Sequence, residues 1–418
     1  MRQLSAGAIA MAVLMVSSPL TVANQPGWLI QFGTSAFDNA NGIAIQGDDV
    51  YVAGATSGVL GEGSAGLQDI YLRSYDTNGT LRWTRQFGTS GMDQTTGGTL
   101  RARGNVVVVG GFVRGALPGF TYFGNNDAFV SAYDRRGEAL WSLQFGTPGN
   151  EAVRSIAITE DGSIFISGQT TGNLTDEPNR GLADAYIARL NRDGMLVWLR
   201  QFGTSGSDEA IGIAVSDDAV YVTGAAGGAL PGNVAEGDTD NFVARLTLDG
   251  DFEWITQFGT PAFDALWKVG VVGSNVFVGG NTQGAFQGEV ASGGFDAVVA
   301  ALDSNGHLLW VRQFGGIGND LALGLAVDDE GAVAVGRVGG FLFPGPPDPG
   351  SDAFARKYDA EGNVLWSIQF GTPTFDNAQD VALRGPDVYL AGTTIGSMPG
   401  FSNAGLQDGF VSRVRVKP

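Results

Sequence analysis

The chain has no cysteine, one histidine (His307) and three lysines (Lys268, Lys357 and Lys417) among its 418 residues. Without cysteine there is no disulfide framework, zinc–thiolate site, iron–sulfur cluster or thiol nucleophile. A single imidazole excludes a histidine metal cage and leaves a Ser-His-Asp triad little to stand on. His307 itself follows Asn305-Gly306 in a hairpin signal, which is the place of a solvated turn residue rather than of a base. Positive charge is also scarce: 24 Lys and Arg stand against 43 Asp and Glu, a net charge of −19. Such a surface repels phosphate backbones, so nucleic acid is not an expected partner, while cations, basic proteins and neutral glycans stay open. No apolar run reaches the roughly 18 residues that a membrane-spanning helix needs.

What is abundant is glycine, 66 residues, in a chain that is still 43% hydrophobic. That much apolar side chain excludes an acidic disordered polymer. Collagen is excluded as well, because the glycines keep no three-residue period. They fall in turns and not at a strand-to-helix junction, so no phosphate-cradling loop is present.

The first residues read as a targeting segment. Arg2 supplies a positive start, Ala8–Val16 an apolar run, and Thr21-Val22-Ala23 a small-residue cleavage site. Residues 1–23 are therefore expected to be a signal peptide, with a retained anchor as the alternative. The remainder is expected to be exported and periplasmic, secreted or displayed at the cell surface.

Self-similarity decides the architecture. Gln-Phe-Gly-Thr starts at Gln31, Gln86, Gln144, Gln201, Gln257 and Gln369, and Gln313 opens the variant Gln-Phe-Gly-Gly. The spacings are 55, 58, 57, 56, 56 and 56 residues. A tryptophan precedes each Gln by three positions, from Trp28 to Trp366, and an acid follows it by seven. These first acids are Asp38, Asp93, Glu151, Asp208, Asp264, Asp320 and Asp376. A glycine closes a β-rich run at Gly54, Gly110, Gly168, Gly224, Gly280, Gly336 and Gly392. A second Asp opens another run at Asp69, Asp127, Asp184, Asp240, Asp296, Asp352 and Asp408.

Each unit reads as four short strands with no helical periodicity. Asp-x-Asn-Gly and similar sequences, such as Asp76–Gly79, supply the hairpin turns. Seven four-stranded units that cannot bury both faces alone predict an all-β, seven-bladed β-propeller spanning residues 26–418 as one domain. The chain ends at a third strand and begins with a fourth, around Trp28. The N-terminal strand should therefore complete the last blade and close the ring.

The combined pattern Trp-x-x-Gln-Phe-Gly-Thr … Asp … Val-Tyr-Val-x-Gly … Gly-x-x-Asp-Ala-Phe-Val-Ala-Arg-Leu-Asp-x-x-Gly resembles the bacterial SBBP-type β-propeller repeat. The resemblance covers nearly all of the chain after residue 23. It implies a secreted or surface-associated propeller, often without an assigned activity.

Residues present in every blade solve a problem present in every blade. The blade acids, with Asp38, Asp93, Asp208, Asp264, Asp320 and Asp376 as the set to consider, are candidates for Ca²⁺, a cation of carboxylate and carbonyl oxygens. The competing reading is that they accept backbone N–H groups in Gly-rich turns. No other cofactor is implied. The tryptophans and the Phe of Gln-Phe-Gly-Thr should pack between blades, with the Gly permitting a sharp turn.

Function is better sought where the repeat breaks. Ten residues after each Gln come Asn41, Thr96, Arg154, Ile211, Trp267, Leu323 and Gln379. The next position is small except at Lys268 and Asp380. Arg154, Trp267, Lys268, Gln379 and Asp380 should ring the mouth of the central channel as a ligand-binding set, the competing reading being drift at a solvated rim. The loops between second and third strands add Phe120, Tyr122, Phe341 and Phe343 as candidate contacts for glycan or protein, unless they tuck over their own blades. The expectation is a monomeric, non-catalytic binding or scaffolding module for a protein or glycan. The alternative is a carbohydrate-active lyase or hydrolase using carboxylates at the channel mouth.

Overall fold

A computed structural model describes residues 25–176, 178–340, 342 and 350–416. The signal-peptide segment, Phe341 and Phe343 lie outside the described residues. The strands within them are numbered β1 (Gln25–Phe32) to β28 (Asp408–Arg415) and form seven four-stranded antiparallel sheets. In the first blade these are β2 (Asp38–Gln46), β3 (Asp49–Thr56), β4 (Asp69–Asp76) and β5 (Leu81–Phe87). The last blade has the order β1-β28-β27-β26, with β26 spanning Asp376–Arg384 and β27 spanning Asp387–Thr394. Trp28 lies opposite Arg413, and Ile30 opposite Val411. The N-terminal strand thus closes the ring as the repeat arithmetic predicts. No helix among the described residues is long and apolar enough to cross a membrane.

The first strand of each blade is innermost. These are β2, β6 (Leu100–Arg103), β10 (Glu151–Ile158), β14 (Asp208–Val215), β18 (Asp264–Val272), β22 (Leu321–Asp328) and β26. Each touches the next, and β26 touches β2, so seven strands enclose one channel. The middle strands are buried on both faces, as in β3, where all eight residues are buried. Continuous Val, Tyr and Ala runs suit such positions because both faces meet a neighbouring blade. The outermost strands, such as β5, begin exposed and are half-buried thereafter.

Two repeated devices join the blades. The Phe of Gln-Phe-Gly-Thr packs edge-on against an aromatic of the following blade, as in Phe32–Tyr71 at 5.8 Å and Phe202–Phe242 at 5.8 Å. The Trp donates its indole N–H to a carbonyl in the following blade's hairpin turn. Trp28 reaches Thr77 at 2.8 Å, Trp198 reaches Leu248 at 3.1 Å, and Trp310 reaches Ala360 at 2.8 Å. The turn glycine is then required twice over. Gly79 has φ +86°, and a Cβ there would come within 2.9 Å of the Trp28 ring. Trp366 makes no such bond among the described residues. Its neighbours β28 and β1 come from opposite ends of the chain, so no hairpin faces it.

Candidate functional site

Connections from the fourth to the first strand, and from the second to the third, lie on one face, the loop face. The tight hairpin turns lie on the other. Both blade acids sit on the loop face and are buried. Each first acid accepts the main-chain N–H four residues earlier: Thr34 to Asp38 at 2.6 Å, Thr204 to Asp208 at 2.6 Å, Thr372 to Asp376 at 2.6 Å. Thr89, Thr260 and Gly316 serve Asp93, Asp264 and Asp320 in the same way. The threonine hydroxyl adds a second bond in most blades, for example to Glu151 at 2.8 Å. Among the described residues, no three His, Asp or Glu side chains are grouped to hold a metal ion.

The second acids reveal the role of the repeated glutamine, which sequence reasoning left without one. Gln144 donates to Asp127 at 2.8 Å and to the Gly115 carbonyl at 3.1 Å, and accepts the Leu117 N–H at 2.8 Å. The same three-way clamp recurs at Gln31, Gln86, Gln201, Gln257, Gln313 and Gln369, each donating to its blade's second Asp. The two acids converge on the glycine between them. A Cβ on Gly88 would lie 2.5 Å from Asp93 and 2.9 Å from Asp69. None of these seven glycines has a left-handed φ. The expected reason, a sharp turn, is therefore corrected: glycine is needed there because two carboxylates leave no room for a methyl group.

Burial pushes the carboxyls of Asp93, Glu151 and Asp208 above the ordinary range, against the hydrogen bonds that favour the charged form. Asp264 and Asp320 rise to about 6, again through burial, with the second acids Asp240 and Asp296 adding repulsion.

The residues that break the repeat line the channel. In six blades the residue ten after the Gln is the extra residue of a β-bulge. Asn41, Arg154, Ile211, Trp267, Leu323 and Gln379 all fall between paired neighbours that skip them. In the second blade Thr96 occupies the corresponding place ahead of the short β6. The signal was present in the sequence as an interior strand glycine, which marks a bulge or a close backbone approach. A Cβ on Gly54 would lie 1.9 Å from the Asn39 carbonyl. In the second blade that role belongs to Gly111, 2.0 Å from the Gln94 carbonyl, and not to Gly110 as the repeat alignment suggested.

Around half of the mouth these residues hold hands from blade to blade. Asn41 donates to Thr95 O at 2.8 Å, Thr96 donates to Arg154 O at 3.2 Å, and Arg154 pairs with Glu209 at 3.4 Å. Arg154 also donates to Gln169 at 2.9 Å. The other half is apolar at Ile211, Trp267 and Leu323, with Trp267 packed on a cluster containing Ile211, and polar at Gln379. Trp267 donates its N–H to Asn281.

One step deeper, Lys268 crosses the channel. Its Nζ lies so close to the second blade that a Cβ on Gly98 would be 2.7 Å away. Lys268 is 4% exposed, yet its ammonium makes no hydrogen bond or ion pair among the described residues. Burial pulls its pKa down to about 8, opposed by the charge of Asp380 and reinforced by Arg101 and Arg154. Asp380, 2% exposed, accepts the Ile43 N–H at 3.2 Å and lies 4.0 Å from Arg101. The structure therefore brings Arg154, Trp267 and Gln379 to one rim and sets Lys268 and Asp380 beneath it.

Phe120 and Tyr122 lie apart from that set. Phe120 packs against the core cluster shared by the first and second blades, and the Tyr122 hydroxyl donates to Asn125 O at 2.6 Å. More conspicuous on the loop face are exposed side chains that sequence reasoning passed over: Phe37, Leu67, Leu182, Val234, Ile317 and Leu406. Ile317 is 93% exposed.

No family model matches the chain. It is 25% identical to the regulatory protein FlaEY of Caulobacter vibrioides, over 70% of this chain and 35% of that protein. It is 21% identical to an uncharacterized WD repeat-containing protein, L264, of Acanthamoeba polyphaga mimivirus, over 84% of this chain and 33% of that protein. The chain thus spans about a third of the length of the curated relatives it matches. Among solved structures, the WD40 β-propeller domain of Doa1 superposes with a TM-score of 0.50 at 11% identity, covering 93% of this chain and 97% of that one. That likeness concerns the fold: the chain is a seven-bladed β-propeller.

Proposed function

We propose that the protein is an exported, non-catalytic propeller of the SBBP type that binds a partner protein through its loop face, in the periplasm or at the cell surface. The observation that carries this reading is the exposed apolar set on that face, which includes Leu67, Leu182, Val234, Val290, Ile317 and Leu406. The second-to-third loops of five blades each carry one of these side chains, so the repeat sets apolar anchor points around one face of the ring. Most are aliphatic, which favours a protein over sugar rings, since sugars stack on aromatic faces. The blade acids support a non-catalytic role because each gives at least one oxygen to loop N–H groups or to the glutamine clamp. The likeness to a regulatory protein and to a WD-repeat protein supports binding over chemistry.

The test is a measured affinity for the co-purified partner. Leu182→Glu with Ile317→Glu should weaken binding at least tenfold, whereas Leu196→Glu, on an outermost strand, should leave it unchanged. Equal loss in both variants would refute the loop face as the docking surface. Turnover of a sugar polymer that disappears in Arg154→Ala or Asp380→Ala would replace this reading with the lyase or hydrolase one.

A further inference from the structure

The channel has a second end. Beyond the layer of Lys268 and Asp380 it widens toward the hairpin face into a funnel of about 340 Å³, walled by all seven innermost strands. Its sides are aliphatic, with Ile45, Ile158, Val215, Val271 and Val327 among them. Two residues along each strand from the layer of Lys268 and Asp380 comes a level that is alanine or glycine in six blades, Ala44 and Gly270 for example, which leaves space open there. The second blade puts Arg101 at that level instead: Arg101 pairs with Val108 in the register where Ala44 pairs with Tyr51.

Arg101 is committed on one side only. Its Nη1 donates to Leu100 O at 2.8 Å and lies 4.0 Å from Asp380. Its Nε and Nη2 have no partner among the described residues, and its side chain is 32% exposed. That edge carries the two parallel N–H groups that match a carboxylate. At this closed end Arg101 and Lys268 face one carboxylate, Asp380, so one positive charge is left unmatched. Arg103, at the rim, is already paired with Glu160 at 2.9 Å.

We propose that the funnel is a binding site for a free monocarboxylate with a medium-length apolar tail. The carboxylate sits on the Nε–Nη2 edge of Arg101 and the tail lies along Ile45, Val215, Val271 and Val327. The volume is in the usual range for small-molecule sites, and apolar walls with one placed charge are their usual make-up. A tail is required because the aliphatic wall offers a bare anion nothing. A single charge is required because the unmatched charge is single and the protein carries −19 overall. This site is independent of the loop-face partner, since it opens on the opposite side.

Calorimetric titration of the full chain at neutral pH with octanoate, octanol and acetate tests it. Octanoate should bind at least tenfold more tightly than either of the others. Arg101→Gln should abolish the preference for octanoate over octanol. Ala326→Phe, which fills the funnel without touching the charges, should weaken octanoate at least tenfold while the thermal melt stays cooperative. Octanol or acetate binding as well as octanoate would overturn the proposal. So would unchanged octanoate affinity in Ala326→Phe, or no binding of any of the three. Should Arg101→Gln fail to fold, the ligand comparison on the unmodified chain and Ala326→Phe still decide.

Discussion

Replacing Gln144 by leucine isolates the glutamine clamp, because leucine keeps most of the volume and removes every polar contact. Gln144 is 5% exposed, so its partners cannot simply turn to water. The substitution strands the Leu117 N–H and the Gly115 carbonyl, and takes from Asp127 its 2.8 Å donor while leaving it the Phe123 N–H at 3.0 Å. Each buried group left unpaired costs about 1–3 kcal/mol, so three partners together cost about 3–6 kcal/mol after partial relaxation. Unfolding entropy of roughly 2.1 cal/mol/K per residue, over a ring of roughly 390 residues, converts this to a Tm drop of about 4–7 °C. Differential scanning calorimetry reads the drop, and hydrogen exchange at the Leu117 amide should accelerate with it. Gln144→Glu should be worse than leucine at pH 7.5, where it faces Asp127 with like charge, and should recover as the pH falls toward 5. A leucine variant within about 1 °C of the parent would refute the claim that the clamp holds the blade.

Four further outcomes follow from the same geometry. Deleting residues 25–33 removes the strand that pairs with β28 and should abolish the cooperative melt; an unchanged melt would contradict ring closure. Gly259→Ala places a methyl 2.7 Å from Asp240 and 2.8 Å from Asp264, and should lower the yield of folded protein or the Tm by several degrees. Asp264 and Asp320 have folded pKa values near 6, above the ordinary aspartate value of 3.8, so the folded state binds more protons than the unfolded one between those limits. Stability from these groups is therefore lost as pH rises through that window. The Tm should be higher at pH 5 than at pH 7.5, with the difference reduced in Asp264→Asn. A chelator should leave the Tm unchanged, because the blade acids are engaged with loop N–H groups; a clear fall on chelation would restore calcium as their purpose.

Much of this fold was legible because the sequence states it seven times. The Trp28 strand, the hairpin turns and the two blade acids each follow from spacing alone. The glutamine clamp was not, since Gln144 reaches Asp127 and Gly115 through tertiary contacts that no local pattern encodes. Gly33 and its equivalents looked like turn residues because glycine serves both conformation and clearance, and only the position of Asp38 and Asp408 separates the two. The bulges had a signal in Gly54 and its counterparts, and the two extra residues in the second blade hid it at Gly111. Asymmetry singled out Lys268 and Asp380, which were expected on the rim of the mouth and lie buried beneath it. What it could not show is that Lys268 lies across the channel, or that Arg101 stands at an alanine level, because both depend on how blades far apart in sequence meet.

The central claim is that the ring binds without transforming what it binds. It is tested most directly by mass analysis of the captured loop-face partner, or of any glycan retained, after prolonged incubation with the parent chain and with Arg154→Ala. Recovery of an unaltered ligand from both is the predicted result. A product formed by the parent and absent with Arg154→Ala would contradict it.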